Sequence, residues 1–273
     1  VLNVTFLGVR AASTPERATA RRYGTDTACV ALEVPKATPL LLDLGGGLRR
    51  WIDRVGPTGP LRAHALLSRI DDAHLEGLAR IPADRRFEVD VFGPESRVLT
   101  STGGERGAAR FPSPLFDAAG CRFVGVHDEE LVVGDAKVAV RRVPNRGPTN
   151  GYRVEWEGVT VAYVSDHRPP AGLGVVAQEV LELADGVDLL VHDARLAPPE
   201  WGSRGHEGHS TVDHAVLVAR EAGARRLALF HHDPATDDDR LDRLLAGARR
   251  AAERLGVEEV IAAAQGTTVS FER

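Results

Sequence analysis

Cysteine is nearly absent. Cys29 and Cys121 are the two in 273 residues, and both sit among apolar neighbours. Buried free thiols are therefore expected in preference to a disulfide. Lysine is rarer than arginine to an unusual degree, with only Lys36 and Lys137, a compositional habit that says nothing about chemistry. No apolar run is long enough to span a bilayer. The first residues, Val1 to Gly8, alternate like a strand and lack a basic leader, so they are not expected to be a signal peptide, and a cytoplasmic protein is the default. No long basic arm is present and the formal net charge is -5. That balance leads to the expectation that nucleic acid and anionic membranes are not partners.

What is present is an ordinary globular composition, 43% hydrophobic and 27% charged, in a chain long enough for one large core. Strand-like runs cover Val1–Leu7, Thr27–Val34, Leu40–Leu44, Ala63–Leu67 and Phe87–Phe92. Between the first two lies an irregular segment with Arg10, Arg17, Arg21 and Arg22. Residues 103–119, rich in Gly, Ala and Pro, are expected to form a long loop. Short strands follow at Arg122–Val126, Leu131–Val133 and Lys137–Val143. Tyr152–Trp156 and Val159–Val164 make a hairpin around Glu157-Gly158. From there strand and helix alternate: a helix over Val175–Ala184, a buried strand over Val187–Val191, and a helix over Thr211–Ala222. Ser210 is expected to cap that helix, with Asp213 in the reciprocal position. A strand over Arg226–Phe230, a helix over Asp237–Leu255 with an acidic first turn, and strands over Val257–Ala263 and Thr267–Phe271 close the chain. Two packed sheets with helices on both outer faces would satisfy this order.

The stretch around which the rest is organised is Leu66-Leu67-Ser68-Arg69-Ile70-Asp71-Asp72-Ala73-His74-Leu75-Glu76-Gly77. A buried strand ends here in a turn holding Arg69, Asp71, Asp72 and His74, at the carboxyl edge where α/β proteins place ligands. The stretch resembles the His-x-His-x-Asp-His signature of the metallo-β-lactamase superfamily, with Arg69, Asp71 and Ala73 in place of the first three ligands and His74 kept. Further matches follow in order. Phe6-Leu7-Gly8 and Tyr23-Gly24-Thr25-Asp26-Thr27 look like the opening of the RNase Z and cyclic-phosphodiesterase-like branch. Leu41-Leu42-Asp43-Leu44-Gly45 resembles the strand with a structural Asp, and Tyr163-Val164-Ser165-Asp166 the strand ending in the metal-bridging Asp. Leu189-Leu190-Val191-His192-Asp193-Ala194, Gly208-His209-Ser210-Thr211 and Leu229-Phe230-His231-His232-Asp233-Pro234 resemble the later strand, the Gly-His-Ser-Thr loop and the terminal His motif.

The resemblance implies an αββα sandwich with residues 1–273 in one domain. It also implies a specific loss. One metal of the family is held by the first two motif histidines and a third on a later loop, and here those positions hold Arg69, Asp71 and Asn145. The other is held by positions that are Ala73, His74, Asp166 and His231, three of them kept. His74, Asp166 and His231 are thus expected to bind at most one ion, zinc or another divalent metal, with water as a further ligand and Asp71 in reserve. Arg69 donates only and cannot ligate. Pointed into the cleft, it would pair with Asp71 or Asp166, and Arg146 would add a second cation.

In this branch His209 looks like a proton donor to the leaving oxygen, with Asp193 or Glu207 holding its tautomer. The alternative is that His209 only anchors the loop. Adjacent strand residues face opposite sides, so His167 is expected at the surface. His231 and His232 would likewise be split, one buried and one exposed. Two functional classes follow. One is a hydrolase with a depleted metal site acting on a phosphodiester or ester-like anionic small molecule. The other is a metal-free binding or regulatory protein, or an enzyme of changed chemistry, built on an Arg69, Asp71 and His209 pocket. A homodimer is compatible with either.

Overall fold

The structure is a computed structural model that describes residues 1–14, 18–94 and 120–272. The expected loop over residues 103–119 and Arg17 lie outside the described residues. Among these there are two seven-stranded sheets. The first has β1 (Leu2–Gly8), β2 (Cys29–Glu33), β3 (Leu40–Leu42), β4 (Leu61–Leu66), β5 (Phe87–Pro94) and β6 (Cys121–Val126), with β14 (Thr268–Phe271) returning beside β1. The second runs β7 (Glu130–Val133), β8 (Ala136–Arg142), β9 (Asn150–Trp156), β10 (Val159–Val164), β11 (Leu189–Asp193), β12 (Arg226–Phe230) and β13 (Glu259–Ala262).

Each sheet changes direction half-way. β14, β1, β2 and β3 pair antiparallel, and β3 to β6 parallel. β7 to β10 pair antiparallel, and β10 to β13 parallel. The sequence explains the difference. β8, Ala-Lys-Val-Ala-Val-Arg-Arg, alternates between buried and more open positions, as a strand with one solvated face does. β3 and β11 are buried throughout, because helices cover their second face.

Alternate strand residues meet between the sheets, among them Phe6, Leu42, Val140, Tyr152, Tyr163 and Phe230. Those of the other parity face helices. Leu41, Ala65 and Val91 pack under α1 (Leu48–Val55) through Trp51 and Ile52. Ala162, Val164, Leu190 and Leu229 pack under α3 (Gln178–Ala184), α4 (Val212–Glu221) and α5 (Asp238–Leu255). A short α2 (Asp72–Leu75) follows β4. This is the αββα sandwich. Cys29 is buried, Cys121 half-buried, and both are free. No described helix is long and apolar enough to cross a membrane.

Several expectations shift. The helix expected from Val175 begins at Gln178, and the strand expected over Val187–Val191 runs Leu189–Asp193. The cap of α4 is Thr211, which accepts from His214 N at 3.2 Å, and not Ser210. The Ser210 hydroxyl is drawn instead to the His167 carbonyl, 2.7 Å away.

Gly77 shows how tightly α2 seats on the first sheet. Its N–H donates to Leu44 O at 3.0 Å, and an added Cβ would stand 2.2 Å from Gly45 O and 2.6 Å from Leu44 O. Both obstacles are backbone, so no rotamer relieves them. Gly77→Ala is expected to lower stability by about 2–3 kcal/mol. Urea unfolding checks this, and a loss below about 0.5 kcal/mol would show that the backbone yields.

Candidate functional site

The parallel halves of the two sheets deliver the site. Asp43 follows β3 and Arg69 lies just beyond β4. Asp166 lies just beyond β10, Asp193 ends β11, and His231 follows β12. All emerge at carboxyl ends of parallel strands, where the sheet stops and loops begin. Asp43 and His231 take left-handed backbone angles, φ 58° and 60°, which non-glycine residues seldom adopt. The chain turns abruptly there, and both side chains stay buried in the site.

His74, Asp166 and His231 come together as a buried trio whose ligand atoms all lie within 4.8 Å of one another. His74 is the first-turn residue of α2, and the α2 N-cap, Asp71, holds it. Asp71 Oδ1 is 2.6 Å from His74 Nδ1, which turns Nε2 to Asp166 Oδ2 at 2.9 Å. His231 Nε2 is 3.5 Å from the same oxygen. Burial opposes the charge on His74, but Asp43 and Asp166 outweigh it and hold the imidazole well above its usual pKa. Burial likewise opposes ionisation of Asp166, and His231 and His74 outweigh it, leaving the carboxyl well below its usual range. His231 itself is pushed down by burial, against the pull of Asp166.

Arg69 lies over this trio. Its Nε is 3.2 Å from Asp71 Oδ2, its Nη1 is 3.7 Å from Asp166 Oδ1, and Nη1 donates to Asn145 Oδ1 at 3.2 Å. Arg69 therefore bridges positions 71 and 145. Beside them a cavity of about 450 Å³ is lined by Arg69, Asp71, Ala73, His74, Arg146, Asp166, Arg195, Glu207, His209 and His231.

His209 forms the opposite wall. Its Nδ1 is 2.8 Å from Asp193 Oδ2, while Glu207 pairs with Arg204 at 2.7 Å. Asp193, not Glu207, is the carboxylate that sets the His209 tautomer. Nε2 of His209 is 2.7 Å from Arg195 Nη1. A guanidinium only donates, so this nitrogen accepts and Nδ1–H donates to Asp193.

Sequence reading missed Arg195. It lies two residues past Asp193, and its neighbours, His209 and Asp233 (3.3 Å), come from distant segments. A third guanidinium in the cleft was not legible without them. Two histidine expectations are also corrected. His167 is buried, not at the surface, and His231 and His232 are both buried. β10 ends at Val164 and β12 at Phe230, so strand alternation does not govern the residues beyond. Arg10, expected in an irregular basic segment, is fully buried. It donates to the Gly24, Asp233 and Thr236 carbonyls at 2.8–2.9 Å and ties the opening loop to the terminal His motif.

The trio fits one metal ion. Two imidazole nitrogens and one carboxylate oxygen, with room for water, form a donor set that zinc uses at catalytic sites. The Asp71 contact supplies the orienting carboxylate behind a ligating histidine. Positions 69, 71 and 145 do not fit a second ion, since a guanidinium cannot ligate and Asp71 already serves His74.

A family model described as the beta-lactamase superfamily domain matches residues 74–232, which is more than half of the chain. The chain belongs to the metallo-β-lactamase superfamily. The trio His74, Asp166 and His231 falls within the matched span. Among curated proteins, it is similar to the ribonuclease Z of Salinibacter ruber, 47% identical over 74 residues, 27% of this chain and 21% of that protein. The match thus spans about a fifth of that relative's length. Among solved structures, it is similar to one described as a new diphosphatase from the PhnP family, with a TM-score of 0.71 and 19% identity over 100% of this chain and 98% of that one. It is also similar to Zn(2+)-bound PqqB from Methylobacterium extorquens, with a TM-score of 0.70 and 18% identity over 98% and 100%. At these identities the structural likenesses speak for the fold. The ribonuclease Z match removes the ground for setting nucleic acid aside as a partner, because net charge alone does not decide against an RNA substrate.

Proposed function

We propose that this chain is a hydrolase that works with a single divalent ion, zinc or a close relative, on a small anionic molecule with a phosphodiester or ester-like bond. The observation that carries it is the buried convergence of His74, Asp166 and His231 beneath a guanidinium. One bound ion supplies Lewis acidity and an acidified water. The chain's own residues do the rest. Asp71 fixes the His74 ring. Arg69 stands where the superfamily resemblance puts a second ion, and offers its permanent charge to an anionic oxygen of the substrate. Arg146 is exposed on the same wall and adds a second cation. His209, oriented by Asp193, faces the cleft with Arg195 on its Nε2. An anionic group that draws Arg195 aside frees that nitrogen to take up a proton released by the attacking water and pass it to the leaving oxygen.

A metal-free reading has its own support. Asp166 already has His74 at 2.9 Å and Arg69 at 3.7 Å, so its charge is met without an ion, and the cavity is then an arginine-lined anion site. The two readings part on metal counts. Chelator-treated protein is reloaded with zinc, dialysed, and compared with His74→Ala and His231→Ala. Each substitution is expected to remove one ion and to lower hydrolysis of bis-p-nitrophenyl phosphate by roughly 100-fold or more. Equal counts in all three proteins would refute the mononuclear reading. Arg69→Ala should then be the change that most weakens phosphate binding.

A further inference from the structure

The guanidiniums of the cleft outnumber the carboxylates left to meet them. Asp71, Asp166 and Glu207 line the cavity. Asp71 and Asp166 are taken by His74 and Arg69, and Glu207 pairs with Arg204 at 2.7 Å. Arg195 has two acidic neighbours, Asp233 at 3.3 Å and Glu207 at 3.6 Å. Arg204 holds both more closely, at 2.5 and 2.7 Å. What the Arg195 guanidinium meets at closest range is the lone pair of His209 Nε2, at 2.7 Å.

Arg146 lines the same cavity and makes no ion pair among the described residues. Its stem runs along Gly208, the residue that leads into His209. A Cβ built on Gly208 would stand 3.2 and 3.4 Å from Cγ and Cδ of Arg146 and 2.7 Å from Asn145 Oδ1. Gly208 also holds a φ of 99°, which suits glycine alone. Glycine at 208 is what lets this arginine lie there. Two guanidiniums without a close carboxylate thus reach one cavity, Arg195 on His209 itself and Arg146 beside the residue before it.

The rest of the lining narrows the ligand. Ala11, Ala73 and Gly147 are the lining residues without a polar side chain. An acyl chain would find almost no apolar surface here. Phosphate, in contrast, is what a guanidinium fork grips best. With Arg69 and a bound ion serving the scissile group, Arg195 and Arg146 are left for another. We propose that Arg195, with Arg146, forms a subsite for a second phosphate group, so that the substrate is a phosphodiester that carries a further phosphate. The inference rests on the hydrolase reading of the cleft and adds the substrate class to it.

The second phosphate also decides reactivity. Seated on Arg195, it draws Nη1 away from His209 Nε2, the nitrogen that carries the proton in the proposed reaction. A diester without it leaves that nitrogen covered, so Arg195 sets specificity. The side chain is free to shift. Its two carboxylate contacts are long for charge-assisted bonds, and its backbone N–H keeps its own bond to Asp193 Oδ1 at 3.0 Å.

The test is calorimetric titration of full-length protein reloaded with zinc. The probes are methyl phosphate, propanediol bisphosphate, whose phosphates lie at the two ends of a chain, and methyl diphosphate, whose phosphates adjoin. One of the latter two is expected to bind about tenfold or more tightly than methyl phosphate. Which of them does so tells whether the second phosphate is a terminal group or part of a diphosphate. Arg195→Ala should remove most of that advantage, and Arg146→Ala part of it. Equal affinity for all three probes overturns the subsite, as does an advantage that survives Arg195→Ala. Should Arg195→Ala not fold, Arg146→Ala decides, and an undiminished advantage there overturns it. Turnover gives a readout of opposite sign. Methyl p-nitrophenyl phosphate, which lacks the second phosphate, should be cleaved several-fold faster by Arg195→Ala, because His209 is uncovered. Slower cleavage, as a merely structural role would give, overturns the part assigned to Arg195. Binding is read without turnover, so an inactive protein that prefers two phosphates keeps the subsite and loses the hydrolase reading, and an active one without that preference does the reverse.

Discussion

A chain carrying Arg69→His, Asp71→His, Ala73→Asp and Asn145→His together is expected to bind one more divalent ion than the unaltered protein. It should also hydrolyse bis-p-nitrophenyl phosphate roughly 100-fold faster or more. The positions were chosen by resemblance, and the structure gives the reason to expect success. Arg69 touches both Asp71 and Asn145, at 3.2 Å each, so three side chains replaced at once converge on one point. Ala73 lines the same cavity. The change removes a fixed positive charge 3.7 Å from Asp166, which repels any ion held by that carboxylate, and replaces it with neutral ligands. Asp166 and the introduced imidazoles would hold a second ion, which would supply further charge stabilisation to a phosphoryl oxygen. The change has a cost. Asp71 caps α2 and holds His74 Nδ1, so stability should fall by about 1 kcal/mol through the lost cap. A folded quadruple variant with an unchanged ion count would mean that the backbone at these positions no longer presents side chains to a metal.

Which parts of this were legible in sequence follows from how local each cause is. The layered α/β order was, because strand runs and helix runs follow one another along the chain, and the ordered motif matches from Phe6-Leu7-Gly8 to Leu229-Phe230-His231 carried it to the αββα sandwich. Asp43, Asp166 and His231 could be located because each belongs to a short motif at the end of a strand-like run that resembles the family's. The orientation of a side chain past the end of its strand could not. His167 is one residue beyond Asp166, yet it turns under α4 while Asp166 faces the cleft. The Ser210 and Thr211 exchange has the same origin: either hydroxyl could cap α4, and the nearby His167 carbonyl, 43 residues away in sequence, takes Ser210. Arg195 and Arg10 were invisible for a related reason. The partners of Arg195 are a histidine nitrogen and the Asp233 carboxylate from distant segments, those of Arg10 three backbone carbonyls, and carbonyls carry no sequence signal.

Asp43→Ala is expected to be the most destabilising single change in the site, by about 3–5 kcal/mol. Asp43 is fully buried between the two sheets. Its carboxylate accepts from Ser68 N at 2.7 Å, Ser68 Oγ at 2.8 Å and Tyr163 OH at 2.8 Å, which joins the end of β4 to the end of β10. It also stands 3.9 Å from His74 Nε2. Alanine would leave a backbone N–H and a phenol buried without an acceptor, each costing about 1–3 kcal/mol, and would remove one counter-charge from a buried imidazolium. It would also have to hold φ near 58°, which costs alanine roughly 1 kcal/mol more. Asp43→Asn separates these contributions. It tolerates the left-handed backbone and keeps one acceptor oxygen, so its loss should be about half. The measurement is urea unfolding with chelator present, which removes any contribution from bound metal. Losses within about 1 kcal/mol of the unaltered protein for Asp43→Ala would show that the carboxylate is not what joins the two sheets. Equal losses for Ala and Asn would place the whole effect in the charge facing His74, and the backbone turn and hydroxyl contacts would then be secondary to the electrostatics of the cleft.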